Sequence, residues 1–183
     1  MNRLIRPVLT ALTIACAAAS FASVTTDRAM AQQQGGELKQ MAITQKQIDG
    51  AIAAQKDMEA LTAKMQPNAK PDPKVLAQVE ATAKKNGFAS TDEYYTVMDN
   101  ISLVYGGIDP ATKKYVGSEA VIKSQIAEVT ADKKMSANDK KQALDQLNQA
   151  LKQPEPAVQN KGNIDLVVAN FDKLAPVMNE DQQ

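Results

Sequence analysis

Histidine and tryptophan are absent from this 183-residue chain, and cysteine occurs once, as Cys16. Arginine is confined to Arg3, Arg6 and Arg28. Beyond residue 31 there is therefore no imidazole, thiol, indole or guanidinium. Zinc, copper and iron sites of the usual kind draw on imidazole and thiolate, so they cannot be assembled there; haem and iron–sulfur ligation are excluded on the same ground. A serine or cysteine nucleophile activated by histidine is impossible, as is bidentate arginine recognition of a phosphate or carboxylate. No disulfide can form in this part of the chain, so its stability rests on packing.

The 31 residues that hold the arginines and the cysteine have the layout of an export signal. Arg3 and Arg6 form a positive start, an apolar stretch covers 7–22, and the small-x-small triplet Ala29-Met30-Ala31 precedes Gln32. The expectation is a signal peptide at 1–31, cleaved before Gln32, and a periplasmic protein. The apolar run, interrupted by threonine and serine, falls short of the roughly 18–20 apolar residues that a membrane span needs. A lipoprotein signal at Cys16 fits less well, because Thr13 and Ile14 stand where such signals place leucine and a small residue. Removing the leader takes the 21 basic and 21 acidic residues to a net charge of −2, every remaining base being a lysine. Lysines scattered among acids do not make the concentrated basic patch that nucleic acid or an anionic membrane requires. Neither is expected as a partner, and stable membrane insertion after cleavage is not expected.

Three kinds of catalysis survive the loss of histidine and cysteine, and spacing argues against each. None of Ser90, Ser102, Ser118, Ser124 or Ser136 has a lysine three residues on. A glycosidase pair needs two carboxylates about 5–10 Å apart with one of them desolvated, whereas Asp92, Glu93 and Asp99 read as a solvated helix face. Oxygen ligands for calcium are not supplied either: the runs opening at Asp109 and Asp132 place lysines where ligands belong. Gly35-Gly36 and Gly106-Gly107 are bare pairs that match no phosphate-cradling loop. The chain is read as non-enzymatic and without a cofactor.

What is present is a series of helices with legible ends. Residues 32–43 read as a flexible tether. Thr44 with Gln47 forms a capping box, and Ile43 with Ile48 a hydrophobic staple, opening a helix that carries Ile48, Ile52, Met58, Leu61 and Met65 and stops before Pro67. After a turn at 68–71, Asp72-Pro73 opens a second helix whose face is Val75, Leu76, Val79 and Ala83, ended by Asn86-Gly87. Ser90 and Glu93 form another capping box before Tyr94, Val97, Met98, Ile101, Val104 and Tyr105, the strongest helical stripe in the chain. Gly106-Gly107 closes it, and 108–115 reads as a loop or single turn held by Tyr115. A helical hairpin follows, with Val121, Ile122, Ile126 and Val129, then a cap at Ser136, then Ala143, Leu144, Leu147 and Leu151. Pro154 and Pro156 mark an extended linker, and Asn163 is read as the cap of a last helix bearing Ile164, Val167, Val168, Phe171 and Leu174. No strand is expected. The fold class is all-α, one bundle-like domain of five or six helices spanning 44–176, with a tail at 177–183.

The run Ile43-Thr44-Gln45-Lys46-Gln47 resembles the Leu-Thr-x-x-Gln signature of small helical periplasmic stress proteins, the Spy and CpxP family, with Met135-Ser136-Ala137-Asn138-Asp139 as a degenerate second copy. The match covers ten residues and departs from the pattern at Ile43, Met135, Ser136 and Asp139. Taken whole, the chain resembles small exported all-helical bacterial proteins that carry no assigned function. The stress-protein resemblance implies a helical cradle that dimerises and protects unfolding clients without ATP, or modulates an envelope sensor, and it transfers no site residues.

Two functions follow. The first is a protein that binds periplasmic or envelope proteins, as chaperone or adaptor, through Ala- and Met-rich helix faces; self-association as a homodimer belongs with it. The second is a small-ligand binder whose aromatic-lined pocket lies near 88–115. There Tyr94, Tyr95, Tyr105 and Tyr115 would wall the site, and Asp99 or Asp109 would orient an apolar or cationic molecule.

Overall fold

The computed structural model describes residues 38–63, 72–153 and 155–179. The expected leader at 1–31 and the turn at 68–71 lie outside the described residues. Seven helices occur among them: α1 (Gln45–Thr62), α2 (Pro73–Lys85), α3 (Thr91–Tyr105), α4 (Ser118–Ala131), α5 (Ala137–Ala150), α6 (Lys161–Ala169) and α7 (Phe171–Asn179). Between α3 and α4, two two-residue strands, β1 (Ile108–Asp109) and β2 (Lys114–Tyr115), pair antiparallel, with Ile108 opposite Tyr115. The chain is an all-α domain, as its helical periodicity leads one to expect.

The helix starts follow from their caps. Thr44 accepts the Gln47 N–H, and the Gln47 side chain accepts the Thr44 N–H, completing the box that opens α1; Ile43 and Ile48 are both buried in the core beneath it. Asp72 accepts the Lys74 N–H at 2.8 Å to open α2. At α3 the box is shifted. Ser90 caps Glu93, but the Glu93 carboxylate accepts the N–H of Ala89 at 2.6 Å and the side-chain amide of Gln47 at 2.9 Å. The starts of α1 and α3 are thereby tied together, each using its third residue.

The core lies between α1, α2, α3, α6 and α7. Ile48, Ala51, Ala54, Val79, Ala83, Val97, Ile101, Val104, Val167 and Leu174 are nearly or wholly inaccessible. Leu76, which the periodicity places on the buried face of α2, is 47% exposed, because the contact face of this short helix runs through Val79 and Ala83.

Two differences from the sequence reading share one cause, an extended segment before α1 that packs across the fold. Residues 38–43, read as part of a tether at 32–43, form an extended strap. Asn100 accepts the Met41 N–H at 3.0 Å and donates to the Lys39 carbonyl at 2.9 Å. Asn163 accepts the Ile43 N–H at 3.0 Å and donates to the Met41 carbonyl at 2.8 Å. Two amide side chains thus do what a neighbouring strand would do for an extended chain. Gln40, facing the other way, donates to the Ala157 carbonyl and accepts the Gln159 N–H. Asn163 is consequently a buried clasp inside α6, and the N-cap of that helix is Asn160.

The expected last helix divides at Asn170. Its side-chain amide donates to the Leu166 carbonyl, ending α6, and its own carbonyl receives the Lys173 and Leu174 N–H groups, starting α7. A reciprocal amide pair between Asn170 and Gln45, at 2.8 and 3.1 Å, fixes this break against the start of α1. Helix α7 continues to Asn179 and buries Val177, so the helical domain extends past 176 into the expected tail.

Helices α4 and α5 stand apart from this body. They pack chiefly on each other, and no residue between 116 and 157 belongs to the core cluster. The arm buries Val121 and Val129 of its own, while α5 buries nothing. Both ends of the arm root at one place, because 115–120 and 155–157 line a common hollow.

Candidate functional site

The six residues singled out in the sequence fall in three separate places. Tyr94 and Tyr95 sit near the start of α3, where Phe88, Tyr94 and Tyr95 form successive edge-to-face contacts with centroids 5.2 Å apart. The Tyr94 hydroxyl lies 3.2 Å from the Gln55 side-chain oxygen. Tyr105, at the other end of α3, stacks on Phe171 of α7 at 4.8 Å and 13°. Such pairs add about 0.5–1.5 kcal/mol beyond the area they bury. Asp99 is exposed on α3.

Asp109 and Tyr115 belong to the β-hairpin. The Asp109 carboxylate accepts the Ala111 N–H at 2.8 Å and the Thr112 hydroxyl at 2.9 Å, and these bonds, the backbone one foremost, hold it below the usual carboxylate range. It is a turn-former, and its oxygens are spent on the turn. Tyr115 covers Gly107, where a Cβ would meet the ring at 2.5 Å, so any side chain at 107 would displace the ring from its present position. Burial raises the Tyr115 phenol above its ordinary pKa, and the nearby Glu155 carboxylate adds to the effect. Of the aromatic pocket expected across 88–115, Tyr94 and Tyr95 line one hollow and Tyr115 another. The helix stripe that suggested it carries its aromatics to opposite ends of a helix of 15 residues.

Two surfaces remain. The first is an open groove of about 230 Å³ between α1, α3 and α7. Gln55, Met58, Glu59 and Thr62 line it from α1, at spacings of three, four and seven that place them on one helix face. Tyr94, Tyr95, Met98 and Ser102 line it from α3, and Val177 and Met178 from α7. Met178 Sδ accepts the Ser102 hydroxyl at 3.6 Å. The sequence names the two tyrosines as site residues and offers the methionines as a client-binding surface or as core fillers, without bringing the two sets together. Their spacing was visible in each helix; which helices face one another was not.

The second surface is the arm and its root. One hollow of about 290 Å³ is lined by Ile122, Ala150 and Leu151 together with Ser118, Glu119, Gln153 and Glu155. It adjoins another of about 380 Å³ that shares Ser118, Glu119 and Glu155 and is edged by Val116, which is 48% exposed. Further along, Ile126, Ala143, Leu144 and Leu147 are only half-buried. Two ion pairs lie within the arm: Lys123 with Glu119 at 2.6 Å and Lys141 with Asp145 at 2.7 Å. Each pairing favours the charged forms, lowering the Glu119 pKa and raising that of Lys141. Exposed pairs of this kind contribute little stability.

Among the described residues no helix is long and apolar enough to cross a membrane. Comparison with protein-family models, with curated proteins and with solved structures finds no match to this chain.

Proposed function

We propose that this chain is an exported, non-catalytic helical protein that binds proteins of the cell envelope, as adaptor or chaperone-like module, and that the α4–α5 arm is its binding element. The observation that carries this reading is the division of buried surface. Every residue of the core cluster lies outside the arm, while Leu144 and Leu147 of α5 and Leu151 at its end stay half-buried on a helix that packs chiefly on α4. Full burial of one leucine is worth about 1.5–3 kcal/mol relative to exposure. A partner helix laid along α5 gains from several such side chains while the body stays as it is. Export is the sequence expectation from residues 1–31. The second reading, a small-ligand site walled by Tyr94, Tyr95, Tyr105 and Tyr115, has less support because its rings are divided between the groove at Tyr94 and Tyr95 and the separate hollow at Tyr115.

A photo-crosslinking residue placed at Asn148 on α5, in living cells, tests the proposal against the same residue at Gln78 on α2. Both positions are exposed. Partners captured from position 148, absent from position 78 and lost when Leu147→Asp is added, are the expected result. One or two near-stoichiometric partners indicate an adaptor and many unfolded ones a chaperone. Equal capture from both positions, or none from the arm, rejects the arm as the binding element.

A further inference from the structure

Imidazole and thiolate are missing beyond residue 31, but thioether is not, and the groove between α1, α3 and α7 is lined by three of them. Met58, Met98 and Met178 come from three different helices and converge on one opening of about 230 Å³. That volume, small for an organic ligand, is ample for an ion. We propose that this groove is a thioether site for a soft monovalent cation of the Cu(I) and Ag(I) type.

Thioether sulfur is a soft, uncharged, polarisable donor. It prefers Cu(I) to the hard cations that carboxylates and carbonyls select. Methionine carries no proton to lose, so a site of this composition needs neither a lowered pKa nor a preformed charge. Met58 is buried within the groove wall, whereas Met98 and Met178 are half-exposed, which leaves an entry path from solvent. Met178 Sδ accepts the Ser102 hydroxyl at 3.6 Å, a weak bond that uses one of the two sulfur lone pairs and leaves the other for a cation. The rings of Tyr94 and Tyr95 line the same opening, and aromatic faces attract a partly desolvated cation. Glu59 is the carboxylate at this groove. Elsewhere among the described residues no group of three or more carboxylates, histidines or cysteines is placed to hold a metal.

The test is titration of the full chain with Ag(I), the redox-stable probe for such sites, followed by calorimetry and by the shift in melting temperature. Cys16→Ser is included throughout, because a thiolate at Cys16 would mask weaker ligands. The expected result is one equivalent bound with a rise in melting temperature, since a ligand that binds only the folded state stabilises it. Binding is lost in the Met98→Leu, Met178→Leu double variant and weakened in Met178→Leu alone. It is retained in Met135→Leu on the arm and in Glu59→Gln. Leucine conserves the volume of methionine, so the metal-free melting curves stay close to that of the parent chain. Absence of binding, binding that persists in the double variant, or binding that depends on Glu59 overturns the proposal.

Discussion

Among the described residues Asn100, Asn163 and Asn170 are the buried polar ones, and no buried side-chain nitrogen or oxygen lacks a hydrogen-bond partner. Their burial is tolerable because the amides of Asn100 and Asn163 satisfy backbone groups of residues 39–43 and that of Asn170 pairs with Gln45. Replacing Asn163 with alanine leaves the Ile43 N–H and the Met41 carbonyl without partners inside the fold. Stranding buried groups costs about 1–3 kcal/mol. Asn163→Ala is therefore expected to lose about 2–3 kcal/mol in denaturant unfolding, several times the loss from Gln40→Ala on the exposed side of the same strap. Equal losses would show that the clasp does not hold the strap. A second residue-scale prediction concerns Glu80. Its carboxylate accepts the Thr91 N–H at 2.8 Å and the Thr91 hydroxyl at 2.7 Å, and with Lys84 at 3.0 Å these lower its pKa from 4.5 to about 2. The folded pKa is depressed, so the contribution is complete above 4.5 and is lost as pH falls from there towards 2. Glu80→Gln is expected to flatten the pH dependence of stability in that window, read by melting curves at successive pH values. An unchanged slope would mean that the tie between α2 and the start of α3 carries no charge dependence.

At the scale of elements, what could be read from sequence was local and what could not was long-range. Thr44, Asp72, Ser90 and Ser136 cap helices in the structure as their spacing predicts, because a cap is satisfied within three residues of itself. Asn163 has the composition of a cap, yet its bonds go to residues 120 and 122 positions away, which no local pattern records. Gly50 is a comparable case in the middle of α1. A helix-interior glycine ordinarily weakens a helix by about 1 kcal/mol relative to alanine. Here a Cβ would run into the Asn86 carbonyl at the end of α2 and lie 3.3 Å from the Phe88 ring, so the absent side chain is what lets α1 and α2 close together. The propensity gain and the steric loss have opposite signs, and a backbone carbonyl cannot rotate aside. Gly50→Ala is expected to lower stability by about 1–3 kcal/mol, the scale of an overpacked core. A rise in melting temperature would place the α1–α2 contact elsewhere.

At the scale of the whole molecule, the described residues form a body of five helices and a strap, into which an arm of two helices is inserted, and this division bears on how the candidate site could be read. The six residues drawn from the sequence lie on the body, because aromatic residues and a strong helical stripe draw attention to α3. The arm carries weaker signals, alanine and leucine with no aromatic side chain, and its isolation is a property of contacts rather than of composition. The arm takes no part in the core cluster, and its ends emerge side by side at the hollow lined by Gly117 and Ala157. Removing 119–152 and closing the gap with a short Gly/Ser linker is therefore expected to leave the body folded. The cost of such a closure grows only slowly with loop length. The shortened chain should keep its helical signal per residue and melt within a few degrees of the full chain. A loss of cooperative unfolding would show that α4 and α5 contribute to the core through the contact of α4 with β1. In the intact chain the same division orders amide hydrogen exchange: α5, which buries no residue, should exchange well before α1 and α3. Protection of α5 equal to that of α3 would mean that arm and body open as one unit, and the arm would then be a structural layer rather than an element held out for a partner.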